Sequence, residues 1–391
     1  MIPRRLSNKL VALARAYPVV SVCGPRQSGK TTLVKVTFPR HAYVSLEDLD
    51  TRNFAAADPR AFLKQYPKGV ILDEVQRVPE LFSYLQTEVD QQSKPGRFIL
   101  TGSQQFLLLE RVSQTLAGRA ALLTLLPFSV GELRAAKRLP TSLNTLVWKG
   151  SYPRLYSART LNPTDWYANY VQMYVERDVR QLKNISDLSD FQRLIRLCAA
   201  RAGQLLNLSS LAEACGVTHN TVKAWLSILE ASFIIYLLQP HHRNFRKRLV
   251  KMPKLYFYDT GLLCYCLGIR TSRDLTYHAM RGAIVENFVI AELLKLWYHQ
   301  GRQPSLYFWR DRHGHEVDGL IEAGRRLIPL EIKASETFQE RFLRDLRYWQ
   351  RLSGSRADAY VVYGGAMEQR RSGVHILPWD RFDATLEGII R

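Results

Sequence analysis

The 391-residue chain carries 55 Lys and Arg against 35 Asp and Glu, a formal charge of +20, and is 46% hydrophobic. That apolar content excludes disordered and collagen-like classes and predicts more than one cored domain. The cationic excess predicts a polyanionic partner, nucleic acid before acidic membrane, unless it is simply the charge of a basic soluble protein.

At the start of the chain Arg4 and Arg5 precede Leu6, Leu10 and Leu13, a helical apolar spacing that also imitates a targeting segment. A phosphate-binding motif begins eleven residues after Leu13, so the helix reads as part of the domain that follows. Over residues 18–128, short β-rich runs at 19–23, 42–46, 70–72, 98–100 and 122–126 alternate with helical or mixed segments, the pattern of a parallel α/β sheet.

Gly24-Pro25-Arg26-Gln27-Ser28-Gly29-Lys30-Thr31, followed by Thr32, is a complete G-x-x-x-x-G-K-[ST] loop between an apolar strand and a helix. Its glycines let backbone N–H groups curl around phosphates. Lys30 neutralises the β and γ oxygens, and Thr31 offers a hydroxyl to Mg²⁺. Residues 69–74 supply the complement, an apolar strand ending in Asp73, to hold Mg²⁺ through water, and Glu74, to polarise the attacking water. A further strand closes on Thr101-Gly102-Ser103, where Ser103 is suited to sensing the γ-phosphate or placing the water. ATP and Mg²⁺ are the implied cofactors.

These motifs, together with Leu116-Ala117-Gly118-Arg119 and Leu126-Pro127-Phe128, resemble prokaryotic AAA+ ATPases of the subgroup joined to a further C-terminal region, over essentially the whole chain. The resemblance implies a sheet with the phosphate strand central, a helical lid and a homo-oligomeric ring, hexameric by analogy. It also implies an arginine reaching a neighbour's nucleotide. Arg119 is the candidate finger, with Arg111 and Arg154 as alternatives.

Residues 143–202 turn to amphipathic helices with Pro153 and Pro163 as breakers near the start, a small helical subdomain. Residues 208–238 then read as a helix, a turn at Cys215-Gly216, a second helix capped by Thr218 and an apolar strand. This resembles a winged helix-turn-helix, a unit that binds DNA or packs as a protein module. His219, Asn220, Thr221 and Lys223 fall on the exposed start of the second helix. Residues 241–254 carry Arg243, Arg246, Lys247, Arg248, Lys251 and Lys254 with no acid, a hairpin suited to phosphate contact.

Residues 315–333 read as two strands folded at Gly324-Arg325, which sets Asp318 opposite Glu331 and Glu316 opposite Lys333 on one face. Opposed carboxylates destabilise a sheet unless a cation or proton intervenes, and a divalent metal would resolve the conflict. The alternative is a Glu316–Lys333 salt bridge in a structural sheet. The D…E-x-K spacing resembles the restriction-endonuclease-like fold. By that resemblance Asp318 and Glu331 would hold Mg²⁺, Lys333 would stabilise the attacking water, and Glu286 on the preceding helix would complete the site.

The expected architecture is therefore α/β: an AAA+ core over 1–142, a helical lid over 143–202, a winged helix over 203–272 and a nuclease-like domain over 273–391. The expected function is an ATP-driven protein that moves or remodels duplex or branched DNA. An ATP-licensed endonuclease and a nucleotide-switched regulatory protein are the alternatives. No apolar run approaches the roughly 18–20 residues of a membrane span, so no membrane partner is expected. Five scattered cysteines fit neither a disulfide framework nor a zinc site, which points to a reducing cytoplasm.

Overall fold

Val-Val-Ser-Val-Cys at 19–23 has no polar face to offer solvent, and all five residues are buried within a parallel sheet. The structure is a computed structural model and describes residues 1–102, 115–158, 160–175, 188–241 and 250–390. Two units are distinguished, one of Met1–Phe128, Ala231–Phe233 and Tyr298–Arg302, the other of Ser129–Glu230, Ile234–Trp297 and Gln303–Arg391.

In the first unit β1 (Val19–Cys23), β2 (Ala42–Ser45), β3 (Val70–Asp73), β4 (Phe98–Gly102) and β5 (Ala120–Thr124) form a parallel sheet in the order β2-β3-β4-β1-β5. The strand feeding the phosphate loop is flanked on both sides, and β4 separates it from the acidic strand β3. The helix Leu6–Ala14 buries Leu6, Leu10 and Ala14 in the cluster that contains Val20, Val22, Ile99 and Leu123. This helix is thus a working part of the domain core. Gly301 closes against Leu123 and Lys9, leaving no room for a Cβ.

In the second unit the helix Leu208–Cys215 is capped by Asn207, whose side chain accepts from Ser210 N, and ends at Gly216 in the left-handed conformation. The next helix, His219–Ala231, starts where the Thr218 hydroxyl accepts from Thr221 N at 3.2 Å. It buries Val222, Trp225, Leu226 and Leu229 and leaves His219, Asn220 and Lys223 exposed. An antiparallel pair follows, β6 (Ile235–Leu238) with β7 (Lys254–Phe257), and Leu205 bridges to Lys254 on its open side.

The long helix Arg281–His299 leads into a six-stranded mixed sheet. Its strands β8 (Leu306–Arg310), β9 (Glu316–Ala323), β10 (Arg326–Lys333), β11 (Ala359–Tyr363), β12 (Gln369–Arg371) and β13 (Val374–Pro378) are ordered β12-β13-β11-β10-β9-β8. β8, β9 and β10 are antiparallel neighbours, whereas β10, β11 and β13 run parallel. The helix Arg344–Ser353 packs Leu346 and Trp349 into a core with Trp309, Val317 and Val361.

Among the described residues no helix is long and apolar enough to cross a membrane. All five cysteines are free; Cys264 is buried and Cys266 half-buried.

Candidate functional site

The phosphate loop is built on backbone that only particular residues tolerate. Gly24 has φ 145°, and a Cβ there would lie 2.2 Å from the carbonyl oxygen of Leu125. Gln27 and Gly29 also have positive φ, which turns the loop back on itself before the helix Lys30–Thr37 begins. The Arg4 guanidinium braces the loop from outside, donating to the carbonyls of Ser28 (2.7 Å) and Leu126. Inside it the buried Lys30 ammonium donates to the carbonyls of Gly24 (2.9 Å) and Pro25 (2.8 Å). Burial pulls the lysine's pKa below its ordinary value, and the charges of Glu74, Cys23 and Asp73 oppose that pull.

Asp73, buried at the end of β3, collects three neutral hydroxyls. Thr31 Oγ1 (2.9 Å) and Tyr43 OH (2.8 Å) donate to one carboxylate oxygen and Thr101 Oγ1 to the other. Burial, followed by the hydrogen bond to Asp73, pushes the Tyr43 phenol up to about 12. The next residue, Glu74, occupies the left-handed region (φ 56°, ψ 44°), a costly conformation for a non-glycine residue and one that concentrates at working sites. Gln76 Nε2 donates to its carboxylate at 2.5 Å.

The loop, Thr31, Asp73 and Glu74 therefore come together as their spacing predicts. Thr101, one strand over, supplies the hydroxyl at the end of β4; Ser103 lies outside the described residues, as do Arg111, Arg243, Arg246, Lys247 and Arg248. Arg119 forms a two-pronged salt bridge with Asp90 (2.5 and 3.0 Å) at the surface. Tyr43 and Arg4 carry no local motif, and their roles appear only in hydrogen bonds to residues 30 and 24 positions away in sequence.

A second cluster of charge lies in the C-terminal sheet. The β9–β10 ladder pairs Ile321 with Ile328 and Gly319 with Leu330, the register expected from the turn at Gly324. Beyond that pair Asp318 accepts the Ile332 amide at 2.8 Å. Lys333 Nζ donates to Glu331 Oε1 and lies 3.9 Å from Asp318. Glu331 Oε2 is buried and has no hydrogen-bond partner among the described residues. Burial and then the Asp318 charge hold the Glu331 carboxyl well above the usual range.

Two expectations are corrected here. Lys254 does not face outward as a phosphate contact of the hairpin: its side chain is 2% exposed, and its ammonium bonds Glu286 at 2.8 Å and Glu316. Nor does Glu316 pair with Lys333. It pairs with Lys254 and with Arg310 at 3.0 Å, because the lysine of β7 reaches it first and Lys333 turns to Glu331. Tyr256 OH donates to Glu286 at 2.5 Å. Burial, opposed by Lys254 and reinforced by Asp318, pushes the Glu286 carboxyl up to about 6. Glu286, Glu316 and Asp318 offer oxygens all within 4.8 Å of one another.

Loop, acidic pair and strand order together define a P-loop ATPase of the AAA type, and residues 16–134 match the AAA domain family. Residues 140–273 and 281–382 match two domains of unknown function, DUF8612 and DUF4143. The chain belongs to the same family as the uncharacterized proteins Rv2008c of Mycobacterium tuberculosis and Mb2031c of Mycobacterium bovis. It is 32% identical to each over 330 residues, 83% of this chain and 72% of theirs. It is also similar to the Walker-type ATPase PABY2304 of Pyrococcus abyssi, at 15% identity and a TM-score of 0.46, over 68% of this chain and 96% of that one.

Proposed function

We propose that this ATPase binds duplex or branched DNA and uses ATP hydrolysis to move or remodel it. The observation that carries the reading is the unit formed by the helices Leu208–Cys215 and His219–Ala231 with the β6–β7 pair. Leu205 adds an isolated bridge to the two-stranded pair, and the second helix begins with exposed His219, Asn220 and Lys223. That order of elements is the one a winged helix uses to set a helix start into the major groove. The +20 charge of the chain supplies the sequence-independent attraction.

In this reading the core spans 1–142, the lid 143–202, the winged helix 203–272 and a restriction-endonuclease-like domain 273–391. Thr31 and Asp73 hold Mg²⁺ beside bound ATP, Gln27, Ser28, Gly29, Lys30 and Thr32 cradle its phosphates, and Glu74 polarises water. Ser103 attends the γ-phosphate. Arg119, released from Asp90, serves a neighbouring subunit in a hexameric ring. The five free cysteines suit a reducing cytoplasm.

A second reading, an ATP-licensed endonuclease, is favoured by one observation: the unpartnered buried oxygen of Glu331 beside Asp318 and Lys333. A carboxylate oxygen buried without a donor suits a hard divalent cation, so the residues present fit Mg²⁺ held by Asp318 and Glu331. Bound there, the ion would activate water for attack on a phosphodiester.

The test is the ATPase rate of the purified protein with duplex, single-stranded and four-way-junction DNA, alongside a nicking assay in Mg²⁺. Turnover stimulated by duplex or junction DNA bears out the first reading, and Mg²⁺-dependent nicking adds the second. Turnover indifferent to every DNA overturns the first reading, absence of nicking overturns the second, and both together favour a nucleotide-switched regulatory protein.

A further inference from the structure

The four carboxylates of the C-terminal cluster are not served alike. Asp318 and Glu331 share Lys333, the Ile332 amide donates to Asp318, and one Glu331 oxygen is left over among the described residues. Glu316 is held at both carboxylate oxygens and Glu286 at one, Oε1. Lys254 lies between them; Tyr256 OH joins it on the same oxygen of Glu286, and Arg310 takes the second oxygen of Glu316. Three of these acids, Glu286, Glu316 and Asp318, draw close enough to share one small cation. The cation that Glu286 and Glu316 already share is a lysine of the same chain.

That lysine is fixed by its backbone. Lys254 pairs with Leu238 in the β6–β7 ladder and with Leu205 on the other side, so it cannot leave without opening the sheet. Withdrawing only its side chain would leave Glu286 with the Tyr256 hydroxyl and no cation, a costly exchange for a buried carboxylate. We infer that Lys254 is the resident cation of the Glu286–Glu316 half of the cluster and confines any divalent ion to Asp318 and Glu331. The C-terminal site then takes one metal ion rather than two, and Glu286 is a partner of Lys254 and not a metal ligand. The inference rests on the metal reading of Asp318 and Glu331 given above, and it narrows that reading to one-ion chemistry.

Mn²⁺ titration of the full chain without nucleotide tests it, by calorimetry and by the electron paramagnetic resonance signal of free Mn²⁺. The Asp318→Asn, Glu331→Gln double variant serves as the reference for binding elsewhere. The expected result is one ion per chain above the reference, with affinity changed less than about two-fold by Glu286→Gln, whereas loss of a true ligand or its support costs about ten-fold or more. Lys254→Met should gain a second ion, lost again when Glu286→Gln is added. Two ions in the wild type, a ten-fold loss in Glu286→Gln, or no gained ion in folded Lys254→Met overturns the inference. Should the wild type bind no ion while Lys254→Met acquires one that needs Glu286, the metal reading of Asp318 and Glu331 fails and the assignment of Lys254 stands. If Lys254→Met does not fold, the Glu286→Gln titration decides.

Discussion

Asp73 and Asp318 are both buried strand aspartates, and the chain holds them in opposite ways. Asp73 is fixed by three neutral hydroxyls, from Thr31, Tyr43 and Thr101. Asp318 sits in a group of acids whose fixed partners include Lys254, Lys333 and Arg310. Neutral donors orient a carboxylate without cancelling its charge, so the phosphate site keeps a negative oxygen available to a cation. Ammonium and guanidinium groups cancel charge as they orient, so much of the C-terminal cluster is satisfied from within. One site is poised for an exchangeable ligand, and the other is largely closed on itself.

The sharpest way to break this contrast is at the loop. Lys30→Ala should weaken nucleotide binding and lower turnover by at least about 100-fold, since phosphate charge loses its compensation. Glu74→Gln should retain nucleotide affinity while turnover stalls, as measured by equilibrium binding beside steady-state hydrolysis. Wild-type turnover in both variants would remove the assignment.

The C-terminal half of the contrast is tested by heat. At a Mn²⁺ concentration about 100 times its Kd, wild-type protein should gain about 2.7 kcal/mol, seen as a raised thermal midpoint, and Glu331→Ala should lose that gain. Equal midpoints with and without metal would make the cluster a purely structural ion network.

Smaller effects grade the hydroxyls on Asp73. Thr101→Val leaves one buried oxygen of Asp73 without its donor and should cost about 1–3 kcal/mol in urea unfolding. Tyr43→Phe should cost about 1 kcal/mol or less, because Tyr43 is 38% exposed and water can replace its hydroxyl. Equal costs would mean that burial does not set the difference. A last test concerns the cations at positions 246–248, outside the described residues. Replacing Arg246, Lys247 and Arg248 with Ala should flatten the slope of log affinity for DNA against log salt by up to roughly 2.7, about 0.9 for each phosphate no longer neutralised. An unchanged slope would place those cations away from DNA.

The sequence discloses these features unevenly, for physical reasons. β1 and β4 are short apolar runs closing on Gly24 and on Thr101-Gly102, so punctuation marks their ends, and β3 ends on its acids. β5 runs over Ala120–Thr124 rather than 122–126 because the apolar stretch 120–126 is continuous and offers no alternation to locate a boundary. The β9–β10 register, down to Gly319 against Leu330, follows from a tight turn at Gly324, where counting outward suffices. The role of Lys254 is illegible in the sequence because it closes a run of cations with no acid nearby. Its acids arrive 32 and 62 residues later, and nothing in the run distinguishes it from Lys251. Tyr43 and Arg4 are hidden in the same way.

The ATPase unit is assembled from three separated stretches of chain, the last of them Tyr298–Arg302 with Gly301 against Leu123 and Lys9. During synthesis, the residues that form the sheet emerge well before that strip. At about 5–20 residues per second the ribosome needs roughly ten to thirty seconds more to deliver it. Through that interval Leu123 and Lys9 lack their contact with Gly301, and the nascent nucleotide-binding unit is the species that a chaperone, or a wrong partner, meets first. A synonymous-codon change that slows translation before residue 298 should therefore lower the yield of folded protein more than the same delay placed after residue 302.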